Sequence, residues 1–182
     1  MGKLIVISGP SGVGKGTIIK RVLKRLDNVK LSVSCTTRAP RAGEEDGVHY
    51  HFITKDEFKK MIAEEGFLEY ESFFDNYYGT PRQMVKDEIE KGNNIILEID
   101  VKGGMNVKRM EPDAMLIFIA PPSFDELKKR LENRNSETPE QIVQRVARAT
   151  AEMRYSGEYD HVVINDDLDK AVEEVIRLIE EE

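Results

Sequence analysis

Leu4-Ile-Val-Ile-Ser-Gly-Pro-Ser-Gly-Val-Gly-Lys-Gly-Thr17 is the stretch from which the rest of the chain is read. Leu4 to Ile7 is a continuous, mostly β-branched apolar run, suited to a strand buried on both faces of a parallel sheet. Gly9, Pro10, Ser11, Gly12, Val13 and Gly14 follow at once. Glycines at this spacing let the backbone turn tightly and aim successive N–H groups inward at an anion. Ile18, Ile19, Val22, Leu23 and Leu26 then share one helical face. The N-terminus of that helix directs its partial positive charge at the same point. Lys15 adds a full charge beside the β- and γ-phosphates of a nucleotide. The usual pattern has Ser or Thr directly after the lysine. Here Gly16 stands there and Thr17 follows, so the hydroxyl that would touch Mg2+ is displaced or absent.

With 182 residues the chain can bury a sizeable core and reads as one domain with inserted subdomains. A formal net charge of −7 argues against a general nucleic-acid binder, so basic chemistry must be local. Cys35 is the only cysteine, which excludes an internal disulfide and fits a reducing cytoplasm. No histidine lies near it in sequence, so it reads as a packing residue rather than a nucleophile. Met1-Gly-Lys-Leu4 runs straight into the first strand without a signal peptide, and no apolar run is long enough to span a membrane. A cytoplasmic location without membrane partners is therefore expected. No patch marks a contact between copies, and the oligomeric state stays open.

Working outward, Val29, Leu31 and Val33 alternate with polar residues as a half-buried strand. Val48 to Ile53 and Phe67 to Phe73 read as further strands, with Asp75-Asn76 as a turn. Thr54 and Glu57 form a capping box for a short helix stopped by Gly66. Residues from about Ser34 to Thr80 thus make a small mixed unit. The main layer resumes with a helix through Met84, Val85 and Ile89, a buried strand Ile95–Asp100, a helix after Lys102-Gly-Gly104, and a strand Met115–Ile119. Ser123 with Glu126 caps the next helix, and Thr138-Pro-Glu-Gln141 opens another. His161 to Ile164 is the last strand and Leu168 to Ile179 an amphipathic final helix. This alternation predicts an α/β fold, a parallel sheet with helices on both faces and ligands at the carboxyl ends of its strands.

A phosphate loop alone does not choose between hydrolase, switch and kinase. Arg38 and Arg41 are guanidinium forks three residues apart, suited to a phosphate dianion. Tyr50 and Tyr78 could add hydroxyl donors. Glu69 is a carboxylate with no basic neighbour in sequence. Arg130, Arg134, Arg145 and Arg148 lie on two helices joined by a polar loop. Such a hairpin could close over a transferring phosphoryl group, stabilising its charge and excluding water.

Ser8–Thr17, Ser32–Glu44 with its Thr-Thr-Arg-Ala-Pro-Arg core, Gly47–Tyr50, Asn76–Pro81 and Leu97–Gly103 resemble the motifs of guanylate kinase, and Gly-Lys-Gly-Thr is a loop variant found in nucleoside monophosphate kinases. The resemblance runs from Lys3 to about Ile179. It implies a core of residues 1–33, 82–121 and 147–182, a GMP-binding insert of 34–81 and a helical lid of 122–146. The implied reaction is transfer of the γ-phosphoryl group of ATP to GMP, with dGMP alongside, in purine nucleotide metabolism and GMP recycling. By position, Ser34, Glu69 and Thr80 would hold guanine, and Arg38, Arg41, Tyr50 and Tyr78 the GMP phosphate. The segment Gly9–Thr17 would hold the ATP phosphates, through Gly12, Gly14, Lys15, Gly16 and Thr17 above all. Asn165 would lie near adenine, and Arg130, Arg134 and Arg145 would come from the lid. Asp100 would lie near the metal or the acceptor. Lys15, Arg38 and the three lid arginines would be the catalytic set. Mg2+ would be held mainly through nucleotide phosphates and water, with Thr17 and Asp100 as candidate protein ligands. Many members have Ser for Gly16, Asp for Glu98 and Gln for Lys102.

Guanine presents N1–H and N2–H2 along one edge, which one carboxylate can accept and adenine cannot match. Three other readings compete with this one, among them a P-loop hydrolase or switch, which would not need the insert's separate phosphate clamp. Guanylate kinase-like modules of scaffold proteins bind peptides but have degraded phosphate loops, whereas this loop is intact. A kinase for another nucleoside monophosphate would not need the Arg-Ala-Pro-Arg insert with Glu69.

Overall fold

The computed structural model of the chain describes residues 2–73, 75–132 and 139–181. In chain order, β1 (Leu4–Ser8) and α1 (Lys15–Leu23) lead to β2 (Val29–Leu31), β3 (Cys35–Thr36) and β4 (His51–Phe52). There follow α2 (Lys55–Ala63), β5 (Phe67–Phe73), β6 (Asn76–Pro81) and α3 (Arg82–Glu90). Then come β7 (Asn94–Glu98), α4 (Val101–Met110), β8 (Met115–Ala120) and α5 (Phe124–Glu132). The chain ends with α6 (Pro139–Met153), β9 (His161–Ile164) and α7 (Leu168–Glu181).

Five parallel strands form the main sheet in the order β2-β7-β1-β8-β9, with Leu4 opposite Ile95 and Ile5 opposite Met115. The apolar run of β1 is continuous because both its faces are covered. Ile5 and Ile7 join Ile96, Ile117, Ile119 and Val163 beneath α1 and α7. Leu4 and Val6 point the other way, with Leu97, Leu116 and Phe118, beneath α3 and α4. Each such fully buried side chain contributes about 1.5–3 kcal/mol.

The second sheet is mixed, in the order β4-β3-β6-β5. The chain changes sheets at Ser32–Ser34. The Ser32 N–H still donates to Ile96 of the main sheet at 2.9 Å, whereas the Ser34 carbonyl already accepts from His51 at 2.8 Å. A small core of Cys35, Phe58 and Phe67 supports this sheet, with Phe58 stacked on Phe67 at 4.3 Å. Cys35 is buried, and burial pushes its thiol up to about 11. Leu68 of β5 belongs instead to the main core beneath α3 and α4, pinning the second sheet to the first.

Several elements differ from the sequence reading. Val29–Val33 shrinks to three residues at the sheet edge, where Leu31 is exposed and only Val29 is buried. Val48–Ile53 shrinks to His51–Phe52. The His49 ring accepts from the Glu45 N–H and Asp46 accepts from the Phe52 N–H, so side chains hold this backbone before any ladder does. Asn76 opens β6, a strand that the sequence reading left inside a motif, and Asp75 alone keeps the turn. The first helix ends at Leu23, although Leu26 still packs on the core. The Thr54–Glu57 capping box forms with both of its bonds. Thr138 lies outside the described residues.

Gly9 has φ 147°, and a Cβ there would stand 2.3 Å from the Ile119 carbonyl oxygen of β8. Gly43 has φ 85° but faces open space. Gly9→Ala is therefore expected to lose at least about 3 kcal/mol of stability in denaturant unfolding, and Gly43→Ala only about 1 kcal/mol. Equal losses would contradict the packing of this loop on β8.

Candidate active site

The loop after β1 wraps around the Lys15 ammonium, which donates to the Gly9 carbonyl at 2.5 Å and the Pro10 carbonyl at 3.3 Å. Burial holds Lys15 below its usual range, against the pull of Glu98, Glu152 and Asp100. Gly14, at φ 98°, is the N-cap of α1, so the helix starts at Lys15 itself. Thr17 is exposed on its first turn. Val13 is buried, and its carbonyl accepts from the Asn165 amide at 2.7 Å. Asn165, buried just beyond β9, thus grips the loop from behind.

Beside the loop lies a cleft of about 390 Å³ lined by Ser34, Tyr50, Glu69, Tyr78, Asp100 and Arg148, together with Glu71, Gly79, Glu98 and Ile99. Glu69 stands opposite Thr80 in the β5–β6 ladder, and the buried Thr80 hydroxyl donates to its carboxylate at 2.6 Å. Burial raises the Glu69 pKa, the Thr80 bond opposes this, and Asp100 adds to it. Strand alternation puts Glu71 on the same face. Its pKa is also raised, by burial first and then by Asp100. Asp100 caps α4 by accepting from the Gly103 N–H at 2.8 Å, and its carbonyl accepts from the Ser8 hydroxyl at 3.3 Å.

At the outer end of the cleft, Arg38 makes a two-pronged ion pair with Glu44, at 3.0 and 2.9 Å. Its guanidinium lies 5.5 Å from the Tyr50 ring centre, and Tyr50 meets Tyr78 edge-on at 6.0 Å. Arg41 is exposed, and its backbone N–H donates to Glu44 at 2.7 Å. Arg130 pairs within its own helix with Glu126 at 3.3 Å. Arg145 is half-buried on α6, whose Val146 and Ala149 pack against Leu127 and Leu131 of α5. Arg134 lies outside the described residues.

The structure therefore brings Ser34, Tyr50, Glu69, Tyr78, Thr80 and Asp100 together and sets Arg38 at their edge. Four groups in this neighbourhood were not among the sequence-derived site residues. Glu71 was signalled by the i, i+2 spacing from Glu69. Arg148 had been grouped with the lid cations. In sequence Glu98 is only a departure from the family pattern, and Glu44 only the end of a motif. Nothing in the sequence pairs Glu44 with Arg38.

A family model described as guanylate kinase matches residues 1–182. The guanylate kinase of Caldanaerobacter subterraneus subsp. tengcongensis is 49% identical over 178 residues, which cover 98% of this chain and 86% of that protein. That of Chlorobaculum tepidum is 50% identical over 181 residues, covering 99% and 93%. The crystal structure of guanylate kinase from Anaplasma phagocytophilum matches with a TM-score of 0.75 at 31% identity, covering 98% of this chain and 84% of that one.

The Glu44 carboxyl is held down from 4.5 to about 2, chiefly by Arg38 and then by the Arg41 N–H. A pKa depressed by folding means that the pair is complete above the unfolded value and fades as pH falls through the folded one. An NMR titration of the Glu44 carboxyl carbon is expected to inflect near pH 2, not near 4.5. Inflection at the higher value would mean that the Arg38 fork is not closed on Glu44 in solution.

Proposed function

Since this chain belongs to the guanylate kinase family and transfers the γ-phosphoryl group of ATP to GMP, we propose that the cleft between its two sheets is the GMP site. The observation that carries this reading is Glu69, a half-buried carboxylate braced by the buried Thr80 at the cleft wall. One of its oxygens accepts a hydrogen bond from the Thr80 hydroxyl, which leaves acceptor capacity for the N1–H and N2–H2 edge of guanine. Ser34 and Asp100 flank the same space. Arg38, Arg41, Tyr50 and Tyr78 hold the GMP phosphate, and Glu44 keeps the Arg38 fork extended until it arrives.

ATP lies with its phosphates on the segment Gly9–Thr17, against Lys15 and the start of α1. A phosphate oxygen of GMP attacks the γ-phosphorus, and the bond to the bridging oxygen of ADP breaks. The nucleophile is already an anion, so no base is required, and the work is positioning and charge neutralisation. Arg130, Arg134 and Arg145 are assigned to the lid of 122–146, with the insert of 34–81 and the remaining core as its frame. Asn165 acts through the shape of the loop as well as by its place near the adenine pocket.

Protein donors for Mg2+ are few. Thr17 is exposed on α1 and Glu98 flanks Gly16, while Asp100 already accepts from Gly103 and pairs with Arg148. Among the described residues no group of three His, Cys, Asp or Glu could hold a metal. This donor set fits an ion that arrives on the nucleotide, keeps mostly phosphate and water ligands, and meets Thr17 or Asp100 at most. Bound there, Mg2+ would neutralise phosphate charge. Among the described residues no helix is long and apolar enough to cross a membrane, and we place the enzyme in the cytoplasm.

The experiment is ADP release measured with a panel of nucleoside monophosphates. GMP should be the preferred acceptor, and Glu69→Gln should lower kcat/KM for GMP at least about a hundredfold while AMP loses far less. An unchanged GMP-to-AMP ratio would remove Glu69 from base reading. In the same assay Arg145→Ala should lower kcat much more than it raises the KM for GMP, because lid contacts form in the closed, reacting complex. A pure KM effect would move Arg145 to the acceptor site.

A further inference from the structure

The cleft is crowded with negative charge. Glu69 and Glu71 come from β5, and Glu98 and Asp100 from the end of β7 and the turn after it. Among the described residues lining it, Arg148 is the one cation. Like charges this close in a partly dry cleft raise each other's energy. A GMP dianion held at the outer donors Arg38, Tyr50 and Tyr78 would still feel the repulsion of these acids from the floor of the cleft.

Arg148 is built to answer this. Its Nη2 lies 3.5 Å from Asp100 Oδ2, and its Nε donates to Glu152 Oε1 at 2.9 Å. Glu152 is buried on the same helix, and its other oxygen has no hydrogen-bond partner, so the brace behind Arg148 is fixed by packing. The guanidinium therefore uses its Nε for the brace and its Nη2 for the cleft, two fixed directions that a lysine ammonium cannot reproduce. Lys15 from α1 and Lys102 from α4 act on these acids from other sides, and Tyr159 stands near Asp100 and Glu152. Arg148 also sits three residues after Arg145 on α6, so the same helix presents one arginine to the acids of the cleft and carries another assigned to the lid.

We propose that Arg148 is a positioning residue of the acceptor site: braced by Glu152, it offsets the carboxylate cluster and holds Asp100, so that the GMP dianion enters a cleft of lowered negative potential. This rests on the reading of the cleft as the GMP site. Its function is carried by charge, and charge removed elsewhere in the cluster should compensate for its loss.

The test is GMP affinity, measured by calorimetry without ATP or metal, for the wild type, Arg148→Ala, Arg148→Lys, Glu71→Gln, the double variant Arg148→Ala/Glu71→Gln and Glu69→Gln. Arg148→Ala should weaken GMP about tenfold, Arg148→Lys less, and the double variant should recover most of the loss. The kcat of Arg148→Ala at saturating GMP should stay within about twofold of wild type. Unchanged affinity in Arg148→Ala, a loss that Glu71→Gln leaves undiminished, or a fall in kcat alone would each overturn the proposal. If Glu69→Gln weakens GMP and Arg148→Ala does not, only the role of Arg148 fails. If neither does, the cleft is not the GMP site.

Discussion

The structure depends on β1 being enclosed on four sides. β7 and β8 take its hydrogen bonds, and two helical layers cover its faces. Such a strand is free to present chemistry only at its carboxyl end. The phosphate loop follows β1, Asp100 follows β7 and Asn165 follows β9, so every contribution of the main sheet arrives at one edge. The second sheet is brought to that edge by Leu68, which is buried in the main core while its neighbour Glu69 faces the cleft. Pleat alternation thus lets one strand anchor the insert and line the site at once.

An acidic chain that handles two polyanions must place the cations near its site well. Here three of them are engaged by the protein's own groups. Lys15 bonds carbonyls of its own loop, Arg38 is closed on Glu44, and Arg148 bridges Glu152 and Asp100. Each partner stands in for an anion, so the cations are held near their working positions rather than left to sample solvent. Binding then exchanges one charge-assisted contact for another.

The main sheet was readable because its signal is local: apolar runs of strand length, with helical periodicity between them. The Thr54–Glu57 box was readable for the same reason, since both of its partners sit within four residues. The insert was harder to read. β3 and β4 are two residues each and exist because other strands contribute their edges, β6 and β4 to β3 and β3 to β4, which no local pattern encodes. The cleft residues divide likewise. Glu69 and Asp100 stood out by place and type, but the Thr80 bond to Glu69 and the Arg148 bridge to Asp100 are contacts between distant segments. Residue identity gave the chemistry at these positions, and only the fold gave the partners.

The Asn165 amide grips the carbonyl of Val13 across 152 residues of chain. The phosphate loop leaves the ribosome early, and Lys15 can tie its Gly9 and Pro10 carbonyls at once, but the Val13 carbonyl gains its donor only when β9 docks against β8. The loop therefore gains its last support from the end of the chain, so a contact between the segments that follow the first and the last strand closes a site whose parts are made far apart in synthesis.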